Sequence, residues 1–384
     1  MFGWINKLRG PRAERKLLAW HAPGRPVWPM RDSAAFAREG YAQNAVAYRC
    51  VRLIAEAAAS APLKVGPADH PLARLLARPN PEQTGIELLE NFFGHLHVSG
   101  NAYLEAASID GAGPSELYVL RPDRMSVIPG ADGWPVGWEH RVGAHVRRFE
   151  RDPISGDAPI LHLKLFHPSD DWYGLSPMEA AAFAIDIHNA GGAWNKALID
   201  NAARPSGALV FNGAGGAERL SEEQFRRLKQ ELEDLHVGAA NAGRPILLEG
   251  GLDWRPMSLS PADMDFIDAR HAAARDIALA FGVPPMLLGI PGDNTYSNYR
   301  EANLAFWRHT ALPLAQKAAQ AIEAWIGARW PEAGRAAIAI DQEALSALAL
   351  EREALWARIG AASFLTEQEK RRLAGVETPE CAHD

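Results

Sequence analysis

SPME at residues 176–179 and SPAD at residues 260–263 are two helix starts of the same design, and they frame a compact insert over residues 205–258. In each, the Ser can cap free backbone amides, the Pro suits the first helical position, and an acid stands three residues after the cap. They predict helices over residues 176–203 and 260–281. Two long helices that carry a small module at their far end predict an elongated shape, a stalk formed by the helices with the module as its head. This shape suits mechanical or assembly work, and it places no catalytic group in a cleft.

Composition narrows the class of protein. The chain has 384 residues, of which 47% are hydrophobic and 23% charged, so it can bury a core of two or three domains. The net charge of -7 argues against a surface that grips nucleic acid phosphates, which needs a dense basic patch. Cys50 and Cys381 are too few for a disulfide framework or a cysteine metal site. The first residues, MFGWINKLRG, lack the apolar run of a signal peptide, so we expect a cytosolic protein.

The segment before the first framed helix predicts an α+β body. Residues 1–40 are rich in Pro, Arg and Trp and indicate an irregular arm. Apolar spacing predicts a helix over residues 45–60, and a capping box at Thr84 begins a second helix that runs toward Val98. Short runs separated by Gly, Pro and Asp then predict strands at 101–107, 116–120, 125–128, 136–140, 145–150 and 160–165. Their links are too short for crossover helices, so the strands are predicted to be antiparallel.

The same sequence signals predict the secondary structure of the insert and of the remainder of the chain. The insert predicts strands at 207–211, 245–249 and 252–257, with a capped helix over 221–236. After the second framed helix, a long helix over 297–330 is expected to kink at Pro313. A strand at 336–340 and two C-terminal helices follow, the last with a capping box at Thr366. Gly191 and Gly192 lie inside the first framed helix, where each costs about 1 kcal/mol against Ala, so a close backbone approach or a kink is expected.

Motifs for enzymatic chemistry are missing. The sequence contains neither G-x-x-x-x-G-K-[ST] nor G-x-S-x-G, so neither a P-loop ATPase nor an α/β-hydrolase is predicted. The best metal-ligand candidates are His95, His97, His162, His167, Asp170 and Asp171. A strand histidine in a satisfied pocket and an Asp-Asp turn explain them more simply, and no metal or cofactor is predicted. A metal-dependent hydrolase that uses these histidines remains the enzymatic alternative. The basic runs at 12–16 and 370–372 are typical of solvated faces.

The order of several segments carries a more specific resemblance. The segments are YRCVRLIAE (48–56), HPLARLLARPN (70–80), SGNAY (99–103), ELYVLRP (116–122), ILH (160–162), GLSP (174–177), PSGAL (205–209), RDIALAFGVPP (275–285) and TYSN (295–298). Over residues 45–375 this order resembles the portal proteins of tailed bacteriophages, the family that includes those of siphovirus-like prophages and gene transfer agents.

The resemblance implies an architecture. The protein would be a non-enzymatic ring, usually a dodecamer, at one capsid vertex, and the conduit for DNA packaging and ejection. The implied parts are an arm (1–40), a strand-rich wing (41–175 and 283–340), two stem helices (176–204 and 259–282), an α/β clip (205–258), a tunnel loop (290–298) and a small helical crown (341–384). The implied partners are further copies of the chain, the terminase large subunit, the head–tail adaptor, the major capsid protein and double-stranded DNA read without sequence specificity. The location would be the virion, after assembly in the host cytoplasm, with no membrane contact. A different capsid or adaptor subunit is the structural alternative, although it would not need the paired helices.

Four sets of residues carry the expected roles. The stem acids would line the channel and repel DNA: Asp263, Asp265 and Asp268. The tunnel loop would touch the passing duplex: Asp293, Asn294, Thr295, Tyr296, Ser297 and Asn298. The clip would bind partners through Glu222, Glu223, Arg226, Arg227 and Lys229. Subunits would pack through Phe183, Ile187, Trp194, Ile267 and Phe281. The simpler alternatives are a solvated acidic helix face, an ordinary connector with a helix cap at Ser297, and a charged helix that only keeps the clip soluble.

Overall fold

The structure is a computed structural model. It describes residues 35–108, 113–131, 133–200, 207–211, 222–223, 226–227, 230, 252–256, 266–292, 296–330 and 332–375, all within one unit of chain, residues 31–384. The expected strand at 245–249 and most of the expected arm lie outside these residues.

The helices begin and end close to the sequence signals. They are α1 (Ala45–Ala59), α2 (Pro71–Ala77), α3 (Gly85–Ser99), α4 (Pro177–Ala180), α5 (Ala182–Asp200), α6 (Phe266–Ala280), α7 (Tyr296–Phe306), α8 (Leu312–Ile326), α9 (Ala349–Ala361) and α10 (Glu367–Leu373). Asn44 caps α1 by accepting from the amides of Val46 and Ala47, and Thr84 forms the predicted capping box with Glu87 on α3. The same box forms between Thr366 and Glu369 on α10.

The strands pair only in antiparallel fashion within the described residues. They are β1 (Leu63–Gly66), β2 (Asn101–Ala107), β3 (Glu116–Leu120), β4 (Met125–Pro129), β5 (Pro135–Val142), β6 (His145–Glu150), β7 (Ile160–Lys164), β8 (Gly207–Phe211), β9 (Leu252–Pro256) and β10 (Ala337–Ile340). β2 is the central strand of the sheet β3-β2-β7, β5 is central in β4-β5-β6, and β1-β10 and β8-β9 are two-stranded. The predicted antiparallel sense of the strands is therefore confirmed for this part of the chain.

Three hydrophobic clusters are found among the described residues, and two of them hold most of these elements. The larger core joins helices from distant parts of the sequence, with Ile54, Phe92, Ile277 and Ile322 almost completely buried. Each such side chain contributes about 1.5–3 kcal/mol by leaving water. A smaller core under the sheets is built on Tyr103, Trp138 and Phe149. Helix α6 contributes to the larger core although it is far from α1 and α3 in sequence, so the C-terminal half fixes the N-terminal body.

The structure departs from the sequence-based expectations at three places. Helix α2 and strand β1 were not predicted, because both are very short and because β1 pairs with β10, which is distant in sequence. The first framed helix is interrupted at Ala181, which separates the single turn α4 from α5. The long helix is interrupted as predicted, by a π-helical turn at Trp307–Ala311 that precedes Pro313, because the Pro cannot donate a backbone hydrogen bond. It ends at Ile326 rather than at residue 330.

Candidate functional site

Helices α5 and α6 pack side by side, as the paired helix starts predicted. On α5 the buried face includes Ala184, Ile185 and Gly191, and on α6 it includes Ala273 and Ile277. These side chains are mostly small, so the two helix axes can lie close together. The described parts of the two framed helices therefore form one unit rather than two separate rods.

A polar joint fixes this helix pair to α1. The Nδ2 atom of Asn44 lies 3.2 Å from Nδ1 of His188 and donates to Oδ1 of Asn189 at 2.9 Å. On the other side of the ring, Nε of Arg270 lies 3.4 Å from Nε2 of His188. Burial lowers the pKa of His188, and the positive charges of Arg270 and His271 lower it further. A neutral imidazole therefore links α1, α5 and α6. No sequence pattern singled out this joint.

The opposite face of α5 is an exposed apolar stripe. Phe183, Ile187, Ala190 and Trp194 recur at helical spacing, and the three large side chains are 49%, 37% and 42% exposed. Ile267 on α6 is 66% exposed. Four of the five residues expected to pack between subunits therefore lie on the surface of the single chain.

Phe281, the fifth residue, does not. It is only 4% exposed and stacks on the ring of His97 at a centroid distance of 6.4 Å. The expectation that Phe281 mediates subunit contacts is wrong, because its side chain belongs to the core of its own chain. The spacing predicted one apolar face of α6 through Ile267, His271, Ala274, Ala278 and Phe281. The last three of these residues are buried, whereas Ile267 and His271 are exposed.

Of the three acidic residues expected to line the channel, the structure describes Asp268. It lies in the first turn of α6, with its side chain exposed. Asp263 and Asp265 lie outside the described residues. Near the other end of α6, Arg275 donates to the carbonyl oxygen of Pro291. This bond ties the start of the expected tunnel loop to the helix.

The C-terminal part of the expected tunnel loop is helical, whereas Ile290, Pro291 and Gly292 at its start are not. Tyr296, Ser297 and Asn298 form the first turn of α7, and Ser297 and Asn298 are exposed. The loop bounds of 290–298 are therefore corrected at their C-terminal end, where the helix begins one residue before Ser297. Asp293, Asn294 and Thr295 lie outside the described residues.

The described charged residues of the insert have helical conformation. Glu222, Glu223, Arg226 and Arg227 are helical and exposed, and Glu222 lies 3.9 Å from Arg226, one turn away. Such an exposed pair contributes well below 1 kcal/mol to stability. These charges are therefore available for contacts with another molecule. Lys229 lies outside the described residues.

The histidines considered as metal ligands have structural roles. Nε2 of His162 donates to Oδ1 of Asn101 at 3.0 Å, and Nε1 of Trp138 donates to Nδ1 of the same ring at 3.4 Å. Nδ1 of His97 bonds the carbonyl oxygen of Phe93 at 2.8 Å. The carboxylate of Asp170 accepts from the amides of Trp172 and Tyr173. Within the described part of the chain, no three His, Cys, Asp or Glu side chains are grouped to hold a metal ion.

A groove that sequence reasoning missed lies between α6, the turn after it and α7. It has a volume of about 440 Å³ and is lined mainly by apolar side chains, among them Leu279, Pro284 and Phe306. Leu279 is 79% exposed. The segment FGVPP, which carried the strongest family motif, forms one wall of this groove.

Among the described residues, none of the helices combines the length and apolar character needed to cross a membrane.

Comparisons with known proteins agree over most of the chain. A family model described as phage portal protein matches residues 45–375. A solved chain from the neck of a native gene transfer agent particle, computed with C12 symmetry, is 53% identical, with a TM-score of 0.72 over 92% of this chain and 96% of that chain. An uncharacterized protein of Rickettsia bellii (strain RML369-C) is 43% identical over 88% of each chain. The portal protein of Enterobacteria phage HK97 is 27% identical over 81% of this chain and 76% of its own length.

Proposed function

The chain belongs to the phage portal protein family, as its motifs predicted, and from this premise we propose that it forms a ring at one capsid vertex through which DNA is packaged and ejected. Portal proteins are structural, non-enzymatic components of the phage head. The observation that carries the proposal is the 53% identity to a neck chain of a particle with C12 symmetry. A chain this similar over nearly its whole length is expected to assemble in the same way, as twelve copies within a virion built in the host cytoplasm.

In the ring, α5 and α6 act as the stem around the channel. Closed rotational symmetry repeats each channel-facing side chain once per subunit. Asp268, together with Asp263 and Asp265, then lines the wall with carboxylates that repel the phosphates of DNA at short range. A wall of this charge lets the duplex slide rather than stick.

Subunits contact each other through the exposed stripe of α5 and through Ile267. Apolar side chains that are 37–66% exposed in the single chain lose that exposure in a ring. Phe183, Ile187 and Trp194 share one face of α5, so one neighbouring subunit can cover all three. This burial is the driving force for assembly.

The polar segment at residues 290–298 acts at the narrowest part of the channel. Its side chains contact the duplex backbone through hydroxyl and amide groups and do not read bases. The bond from Arg275 to Pro291 positions this segment relative to the stem. Tyr296, Ser297 and Asn298 act from the first turn of α7, and Asp293, Asn294 and Thr295 complete the set.

The insert acts as the clip and binds partners. Glu222, Glu223, Arg226 and Arg227, with Lys229, offer both signs of charge on an exposed helix, which favours selective contacts. The terminase large subunit, itself the ATPase, docks here during packaging, and the head–tail adaptor docks here afterwards. The strand-rich wing meets the major capsid protein, and α9 and α10 form a small crown.

Electron microscopy of the purified chain tests the proposal. We expect rings with a central hole and twelvefold rotational symmetry in two-dimensional class averages. Ile187→Glu combined with Ile267→Glu should give folded monomers, because charges on the stem surface oppose the contact between copies. Ile154→Glu is the matched control, since Ile154 is 95% exposed and lies outside the stem. Monomers or closed shells for the unaltered chain would contradict the proposal.

A further inference from the structure

A second groove lies at the end of the described chain, between α9, α10 and the turn before α9. Its volume is about 820 Å³. Its walls include Arg352, Leu355 and Arg358 of α9, and Leu373 of α10. Leu355 and Leu373 are 37% and 55% exposed, so apolar surface remains open to solvent here. None of the roles proposed above uses this groove.

Three arginines and two glutamates line the groove, so its lining carries a net charge of +1: Arg308, Arg352, Arg358, Glu343 and Glu351. Arg308 and Glu351 form an ion pair across it, so these two charges compensate each other. Arg352 bonds the carbonyl oxygen of Gln342 at 3.0 Å and lies over the ring of Trp356. Arg358 is exposed and makes no ion pair with any residue that the structure describes. The groove therefore offers guanidinium groups to an acidic ligand, beside apolar surface.

The last described residues of the chain line this groove. Leu373, Ala374 and Gly375 line it, and Nε1 of Trp356 donates to the carbonyl oxygen of Ala374 at 3.3 Å. The sequence continues as VETPECAHD over residues 376–384. This segment has three acids, Glu377, Glu380 and Asp384, and no Lys or Arg, while Val376 and Pro379 are apolar. Its composition is complementary to the groove in both charge and apolar character.

We propose that residues 376–384 bind in this groove of their own chain. In this proposal Glu377 and Glu380 pair with Arg352 and Arg358, and Val376 and Pro379 cover Leu355 and Leu373. The segment begins at the groove wall, so its effective concentration there is in the millimolar range and modest contacts are enough to hold it. Six residues separate Gly375 from Cys381, a reach of up to about 20 Å. The inference concerns only α9, α10 and this segment, and it does not depend on ring formation.

Cys381 provides the experiment. We would introduce Leu355→Cys in the full chain, add diamide, and follow disulfide formation by non-reducing electrophoresis and peptide mapping. A disulfide needs Cα atoms within about 7 Å, so a docked segment, which holds Cys381 near residue 355, forms it faster than a freely moving one. The chain's other thiol, Cys50, does not interfere, because burial raises its pKa to about 12 and keeps it protonated.

Glu353→Cys is the matched control. Glu353 is exposed on the same helix, does not line the groove, and lies on another face of α9. We expect the intramolecular disulfide to form about tenfold faster with Leu355→Cys than with Glu353→Cys. Equal rates would overturn the proposal. Disulfides that mainly join two chains would also overturn it, because the groove would then hold the segment of a neighbouring copy. Leu348→Cys, which also lines the groove, repeats the test if Leu355→Cys folds poorly.

A charge reversal tests the role of the arginines. In the Leu355→Cys background, Arg358→Glu should slow disulfide formation by about two- to fivefold, as expected for loss of one exposed ion pair. Arg78→Glu, at an exposed site outside the groove, should leave the rate unchanged. An equal rate with Arg358→Glu would overturn the proposed charge contact. A slower rate in both variants would do the same, because the effect would then arise from net charge alone.

Discussion

The environment of His162, on β7, makes the stability of the fold dependent on pH. The ring stacks on Tyr103 at a centroid distance of 4.2 Å, and both of its nitrogens are hydrogen-bonded. Because Trp138 donates to Nδ1, a proton added there would face another N–H group. Burial, and next the charge of Lys164, lower the pKa of His162 from 6.5 to about 3. The folded state therefore holds this histidine neutral where the unfolded state binds a proton.

The sign of the pH effect follows from this difference. The contribution of His162 is fully present above pH 6.5, and it is lost as the pH falls from 6.5 toward about 3. The limiting slope is about 1.4 kcal/mol per pH unit. We expect His162→Gln to reduce the slope of the free energy of unfolding between pH 6.5 and pH 5, as measured by urea denaturation.

A second histidine variant separates this effect from general acid destabilisation. His145→Gln changes an exposed histidine on β6 and should leave the slope close to that of the unaltered chain. If His162→Gln and the unaltered chain had the same slope, the buried neutral histidine would not control stability in this range.

At the scale of elements, Gly192 on α5 can distinguish contacts within one chain from the proposed contacts between chains. A Cβ atom at Gly192 would meet no described atom within 4 Å, and at Gly191 the nearest would be Cβ of Arg270, at 4.0 Å. The close backbone approach expected at this pair is therefore absent among the described residues of a single chain. Within our proposal, any tight approach at Gly192 comes from a neighbouring subunit.

This leads to two opposite effects of Gly192→Ala. The free energy of unfolding of the monomer should rise by about 0.5–1 kcal/mol, because Ala restricts the unfolded chain and favours the helix. Ring formation, measured by size-exclusion chromatography with light scattering, should decrease because the added methyl group meets the neighbour. Gly94→Ala on α3, where a Cβ atom also meets no described atom, should stabilise the chain without this decrease. Unchanged assembly of Gly192→Ala would place the glycine outside the subunit interface.

Local sequence signals predicted most helices and strands, whereas features that depend on contacts between distant parts of the sequence were missed. The strands from β2 to β7 and the caps at Thr84 and Thr366 were predictable, because alternation and capping boxes act over a few residues. Strand β1 was missed because its partner β10 lies more than 250 residues away. The joint of Asn44, His188 and Arg270 was missed for the same reason. Phe281 was misassigned because periodicity identifies an apolar face but not the molecule that covers it.

The insert helix carries a prediction about partner binding. We expect Arg226→Glu combined with Arg227→Glu to weaken adaptor or terminase binding by about tenfold in surface plasmon resonance, mainly through a slower association rate. Assembled rings should look unchanged by electron microscopy. Arg78→Glu with Arg335→Glu changes the net charge by the same amount at exposed sites outside the insert and serves as the control. Equal binding by both double variants would indicate that the insert charges only maintain solubility.

At the scale of the whole molecule, the chain has a net charge of -7, and yet the proposed ring has to let negatively charged DNA pass. A ring of twelve copies, as in the similar neck chain, would place twelve copies of Asp268 at one level of the stem. Salt screens these charges beyond about 10 Å at 0.1 M, so they act only on DNA that approaches the wall. In the proposed ring, repulsion at that range would keep the duplex centred, whereas a basic wall would bind it and slow its movement.

Replacing Asp268 tests whether the charge of the wall matters. DNA presents about one negative charge per 1.7 Å of its axis, so twelve lysines would form a continuous contact with the backbone. We expect Asp268→Lys to lower the yield of DNA-filled particles by about tenfold, as measured by nuclease-protected DNA, with Asp268→Asn between Lys and the unaltered chain. Asp69→Lys makes the same change of charge at an exposed site outside the stem and should leave the yield intact. Rings should form in all three variants, because Asp268 is exposed in the single chain and its replacement disturbs no core contact. An unchanged yield for Asp268→Lys would mean that this acid belongs to a solvated helix face, and the repulsive wall would have to be abandoned while the ring itself remained.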